Sequence, residues 1–141
     1  MDARADELLR VYAEFRGALE GKDFKTFHRL AYFEEGASKK VAKRHFKEDR
    51  EAYLLGAPDP GTVRPLWVKD LPGDLVALGC AGEFPWTPGR RHVAVRVFAG
   101  GPGSYRIAPR TGETAEFEPV EGEDEALTAE RAFDALKQGA W

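Results

Sequence analysis

One cysteine, Cys80, is all that this 141-residue chain holds. That excludes an internal disulfide and any metal centre built from several thiolates. Three histidines with no Asp/Glu cluster at ligand spacing offer no metal site either, and no cofactor is expected. No apolar run approaches the roughly 20 residues of a membrane span, so a membrane partner is not expected. A strong charge of one sign is also missing. The formal net charge of −3 gives no global reason to bind nucleic acid, and the basic run from Lys39 to Lys47 reads as the solvated side of a helix. Gly100-Gly101-Pro102-Gly103 lacks the Lys-Ser/Thr ending of a phosphate loop and opens no helix, which makes it a hairpin turn. There is no internal repeat and no sign of a second domain.

What is present reads as one globular domain, residues 1–141, with 43% hydrophobic and 32% charged content. The opening residues MDARADELLRVYAEF are acidic and helix-patterned, where a signal peptide is basic and then uniformly apolar. A cytoplasmic location is the expectation, with a leader removed from in front of this start as the open alternative. The chain changes character near residue 56. A helical layer (1–56), an antiparallel sheet (62–120) and a short C-terminal helix (127–138) follow in order, an α+β arrangement.

In the first segment Leu8, Val11, Tyr12, Phe15, Ala18 and Leu19 keep helical spacing on one face, with Arg10, Glu14, Arg16 and Glu20 on the other. Gly21 stops this helix and Asp23 caps a second, with Phe24, Phe27, Leu30 and Ala31 inward. The break is short enough to make a helical hairpin. Phe33 to Ala37 is a turn, Ser38 caps a third helix, and Ala57-Pro58-Asp59-Pro60-Gly61 ends it.

Two Pro-Gly turns, Leu71-Pro72-Gly73-Asp74 and Thr87-Pro88-Gly89-Arg90, then phase a curved sheet of four to five strands. They pair Trp67 with Leu78, Pro65 with Cys80, Gly82 with Val95 and Phe84 with Val93. A looser turn at Gly100 to Gly103 sets Val95 opposite Ile107 and Val97 opposite Tyr105. Val76, Leu78, Cys80, Phe84, Val93, Val95, Val97, Tyr105 and Ile107 then share the face under the helices. Arg64, Leu66, Val68, Leu75, Ala77, Ala81, Glu83, Ala94, Arg96 and Phe98 share the other. A face of that mixed composition meets either a partner subunit or the C-terminal segment, in which Glu121 to Glu125 is a linker and Thr128 caps a helix carrying Ala129, Ala132, Phe133 and Leu136 on one side.

The candidate site lies on the third helix. His45 and Asp49 sit one turn apart in the stripe of Val41, Ala42, Phe46, Ala52 and Tyr53, while Lys39, Lys40, Lys43, Arg44, Lys47, Glu48, Arg50 and Glu51 turn away. Asp49 is placed to orient the imidazole, leaving a ring nitrogen for proton transfer to a ligand. Tyr53 extends the polar line, and Tyr12 or Tyr32 approaches from the hairpin. The plainer alternative is a locally satisfied pair or the wet edge of the stripe. Elsewhere His28 reads as a boundary histidine, His92 as exposed, and Cys80 as a small core residue. Trp67 and Trp86 are candidate stacking residues, Trp67 on the core face by register and Trp86 at a rim. Glu83 and Arg96 read as an outer-face ion pair.

The segment Gly21-Lys22-Asp23-Phe24-Lys25-Thr26-Phe27, and the order of elements over roughly residues 5–110, resemble the nuclear-transport-factor-2-like superfamily. One departure is that the family places a short strand between its second and third helices, where Phe33 to Ala37 is barely long enough. The resemblance implies a sheet wrapped around the third helix as a cone with an open mouth. In family enzymes such as ketosteroid isomerases, scytalone dehydratases and polyketide cyclases that cone holds polar catalytic groups, while many other members are non-catalytic and dimerise through the sheet. Three readings follow. The first is a non-catalytic module binding an unknown small molecule through Tyr12, Tyr32, His45, Asp49, Tyr53 and Trp67, as a homodimer through the sheet. The second is a cofactor-free isomerase- or lyase-type enzyme with His45 as acid/base and Asp49 orienting it. The third is an interaction domain using the outer sheet face.

Overall fold

Apolar residues at helical spacing put Leu8, Tyr12, Phe15 and Leu19 on the buried side of α1 (Ala5–Glu20). The computed structural model describes residues 2–33, 36, 38–85, 89–109, 116–117 and 124–139, the side chains of 116–117 and 135–139 excepted. Trp86, Thr87 and Pro88, most of the turn before Ser38, the start of the acidic linker and the Leu136 side chain therefore lie outside the described residues. At the end of α1 the Asp23 N–H donates to Ala18 O (2.9 Å) and Lys22, not a glycine, takes the left-handed conformation with φ of 55°. Asp23 caps α2 (Phe24–Leu30) by accepting from the Thr26 N–H, as expected. Ser38 likewise caps α3 (Lys39–Leu55) through the Val41 N–H.

Among the described residues five strands follow: β1 (Arg64–Leu71), β2 (Leu75–Glu83), β3 (Arg91–Ala99), β4 (Arg106–Ile107) and β5 (Glu116–Phe117). They form one antiparallel sheet in the order β1-β2-β3-β4, with β5 also on β3. α1 packs on β1 and β4, across the sheet, while α3 packs on α1 and α2. Of the N-terminal helices, α1 thus lies on the sheet with α2 against β4, and α3 packs mainly on the other two. Among the described residues no helix is long and apolar enough to cross a membrane.

The register departs from expectation at both turns. Leu71 pairs with Leu75, so the first turn spends three residues, Pro72, Gly73 (φ 78°) and Asp74 (φ 58°). That extra left-handed residue sets Trp67 opposite Gly79 instead of Leu78. A bulge between Pro65 and Trp67 restores Pro65 opposite Cys80. Val68 consequently turns under the N-terminal helices and Trp67 turns away from them.

The second hairpin pairs Glu83 with Arg91, placing Val95 opposite Gly79 and Val93 opposite Ala81. Phe84 has left the strand to bury itself, and Glu83 is anchored outside the hairpin, its N–H to Thr62 Oγ1 and its C=O to the Asp59 N–H. This lengthens the connection and shifts β3 by an odd number of residues, which exchanges its faces. Cys80 lies under the helices as expected. Val93, Val95 and Val97 do not; Ala94, Arg96 and Phe98 take their place, and Phe98, not Val95, stands opposite Ile107. His92, expected at the surface, is buried edge-on to Phe84. The Glu83–Arg96 ion pair is absent: Arg96 is in the core and Arg91 pairs with Glu125.

The other face carries α4 (Glu125–Gly139). Asp124, not Thr128, caps this helix by accepting the Ala126 N–H, so it starts earlier than expected and Glu125 belongs to its first turn. Ala129, Ala132 and Phe133 pack on Ala77, Ala81, Val93 and Val95, with Leu66, Trp67 and Leu71 beside them. Of the two occupants expected for this face, the C-terminal segment holds it. A homodimer through the same surface would have to displace α4, and that expectation loses its basis.

Candidate functional site

The three polar residues of α3 meet as their spacing requires. His45 Nδ1 lies 3.1 Å from Asp49 Oδ2 and 3.1 Å from the Tyr53 hydroxyl, which itself donates to Asp49 Oδ2 at 3.5 Å. Two proton arrangements satisfy this triangle. Either Nδ1–H and the Tyr53 O–H both donate to the carboxylate, or Nδ1 accepts from Tyr53 and the ring proton sits on Nε2. Phe33 stacks on the imidazole at 4.3 Å between centroids. The His45 side chain is 19% exposed and that of Asp49 43%, so the group sits at the wet edge of the stripe and not at the inner end of a pocket. Ala52, expected inside, is exposed; Ala42 and Tyr53 are the buried members.

Tyr12, Tyr32 and Trp67 do not join this group. Tyr12 is buried in the core, its hydroxyl donating to Pro58 O, and burial pushes the phenol well above its ordinary pKa. Tyr32 is tied to the sheet by its backbone N–H, which donates to Ile107 O at 2.8 Å. Trp67 packs under α4, edge-on to Phe133.

Around Tyr12 the core holds something the sequence pattern placed on the surface. Arg96, 2% exposed, donates to Gly56 O (3.4 Å), Ala108 O (3.4 Å) and Pro109 O (3.1 Å), with its guanidinium over the Tyr12 ring at 5.6 Å. Arg16, also expected outside, donates to Ala57 O and Pro58 O. Arg16 and Nη1 of Arg96 therefore meet the C-terminal end of α3, where unpaired carbonyls and the negative end of the helix dipole concentrate, while Nη2 of Arg96 meets the carbonyls after β4. This accounts for a buried arginine with carbonyl partners and no carboxylate. Cys80 lies nearby, its thiol pushed up to about 12 by burial despite the opposing pull of Arg96.

A third arrangement was missed altogether in the sequence. A cleft of about 960 Å³ opens between α2 and the turn into β4, lined by Lys25, Thr26, His28, Arg29 and Leu30 on one side and Gly103, Ser104, Tyr105 and Arg106 on the other. The two walls are joined by a parallel bridge, Ala31 to Ile107. Arg106 Nη2 donates to His28 O at 2.8 Å, while its Nε is buried without a partner. Arg29 pairs with Glu14 on α1. Lys25 and Arg29, one turn apart on a helix, were a visible signal; Arg106 was not, because only the Ala31–Ile107 bridge brings it to them.

No protein-family model matches this chain, and no curated protein and no solved structure matches it.

Proposed function

We propose that the chain is a non-catalytic small-molecule-binding module of nuclear-transport-factor-2-like type, and that its ligand occupies the cleft between α2 and β4. The order of elements supports the kinship, and the Ala31–Ile107 bridge stands where the family has its short strand. The observation that carries the functional reading is the cleft itself, whose volume of about 960 Å³ falls within the range of small-molecule sites. A cytoplasmic setting accords with a single unpaired, buried thiol. The test is a fragment screen by protein-observed NMR on the full chain. The reading expects hits that shift the amides of Thr26, Ser104 and Tyr105, and a screen whose hits leave all three unmoved overturns it.

A second reading, proton-transfer chemistry at His45, is favoured by the imidazole's simultaneous contact with Asp49 and Tyr53. Isomerisation of cyclohex-3-enone, followed by ultraviolet absorbance, is its test. Turnover by the wild type that disappears in His45→Gln would move the function to α3. The interaction-domain reading loses its surface to α4.

A further inference from the structure

We propose that the α2–β4 cleft is an oxyanion site, taking the phosphate or carboxylate of a small organic ligand whose apolar part rests on Leu30 and Tyr105. This rests on the binding-module reading above and adds the ligand's chemistry. Three cations from two separate elements converge on the cleft: Lys25 and Arg29 from α2, Arg106 from β4. Among the described residues no acidic one lines it, although the chain as a whole carries a net charge of −3. The positive lining is therefore a local arrangement and not a reflection of overall composition.

Arg106 is the centre of the argument. It is partly buried, makes one hydrogen bond to a backbone carbonyl, has no ion pair among the described residues, and leaves Nε buried without a partner. A partly desolvated guanidinium without a carboxylate partner is costly, and an oxyanion received by its terminal nitrogens offsets that cost. Arg29, at the rim, is already paired with Glu14, and Glu7 accepts from the Gly103 N–H, so Arg106 and Lys25 are the lining Lys and Arg residues left without an ion pair among the described residues. Lys25, exposed and without an ion pair among the described residues, adds a point charge one turn away. Tyr105 and Leu30, both buried, give the cleft an apolar floor.

The test titrates the 141-residue, isotope-labelled chain with phenyl phosphate, benzoate, inorganic phosphate and neutral benzyl alcohol at constant ionic strength. Shifts at Thr26, Ser104 and Arg106 are expected from phenyl phosphate or benzoate, with the better of the two identifying the anion. Inorganic phosphate should bind more weakly, since it lacks the apolar part. Arg106→Gln should weaken binding about tenfold. Lys25→Gln, at an exposed position that does not bear on folding, should weaken it severalfold. Benzyl alcohol binding as tightly as phenyl phosphate, or anion binding indifferent to both substitutions, overturns the oxyanion assignment while leaving the cleft a binding site. Silence of the cleft amides toward all four probes overturns both.

Discussion

Trp67 lies over Gly79, the residue opposite it on β2, so closely that a Cβ on Gly79 would fall within 2.7 Å of three indole atoms. The bare glycine is the floor on which the ring rests. Phe133 of α4 closes on the indole from the side, at 5.3 Å between centroids, and Lys69 covers it at 5.0 Å. One pairing thus joins the longer first turn, the face on which Trp67 emerges and the seat of α4.

Gly79→Ala should be destabilising by about 1–3 kcal/mol, the cost of overpacking a filled site with a methyl group. Denaturant unfolding followed by tryptophan fluorescence measures it. A value near zero would mean that the indole does not sit on Gly79.

Arg96→Ala removes the donors from the carbonyls of Gly56, Ala108 and Pro109 and leaves a cavity beside Tyr12. Unsatisfied buried acceptors and the void together should cost roughly 3 kcal/mol or more. Arg96→Lys should recover only part of this, because one ammonium cannot reproduce the planar fork. Hydrogen exchange at the C-terminal end of α3 should quicken in both variants; unchanged exchange there would show that Arg96 does not hold that end.

How much of this was legible in the sequence depends on the range of the interaction. Helix starts were readable because Asp23 and Ser38 act on residues three positions away, and the His45–Asp49–Tyr53 line because helical spacing alone brings it together. Strand faces were not. A turn read as four residues from Pro72-Gly73 gained one through Asp74, and each odd shift inverts a face. Val95 and Arg96 look alike to a register argument, and the position assigned to Arg96 ignored that the end of α3 and the chain after β4 would bring it three backbone carbonyls to bond. The cleft depended on a tertiary bridge between Ala31 and Ile107 that no local pattern announces.

Cys80 should be inert toward thiol reagents in the native protein at mildly alkaline pH, since burial holds its pKa up to about 12 and keeps it from solvent. Labelling should become complete in denaturant. Its native-state rate should rise in Arg96→Ala in proportion to the population of opened molecules. Rapid stoichiometric labelling of the folded wild type would place Cys80 at the surface.

Asp23 gives a pH dependence of definite sign. Its carboxylate accepts from the Thr26 hydroxyl (2.7 Å) and the Thr26 N–H (3.2 Å), and these bonds lower its pKa below the ordinary range. The cap's contribution is therefore present above the unfolded-state pKa of about 4, and is lost as pH falls through the lower folded value. Asp23→Asn keeps an acceptor that does not titrate. The stability advantage of the wild type over this variant should accordingly shrink as the solution is acidified, and an advantage that grows toward acid would contradict the cap.

His45 and Tyr53 should be energetically coupled. Tyr53 is buried, and its hydroxyl is held between Nδ1 and Asp49 Oδ2, so Tyr53→Phe should cost about 1 kcal/mol through the lost hydrogen bonds. His45→Gln should cost less, because the ring is partly exposed and Phe33 can close over the gap. Combining the two should be less damaging than the sum of the single changes, with a coupling of about 0.5–1 kcal/mol read from a double-mutant cycle in denaturant unfolding. That coupling, together with unaltered ligand shifts at Thr26 and Ser104, assigns the trio a structural role on α3 and leaves binding to the cleft. Additive costs accompanied by loss of cyclohex-3-enone turnover in His45→Gln would reverse the assignment, making the imidazole a working acid/base whose neighbours orient it without stabilising the fold.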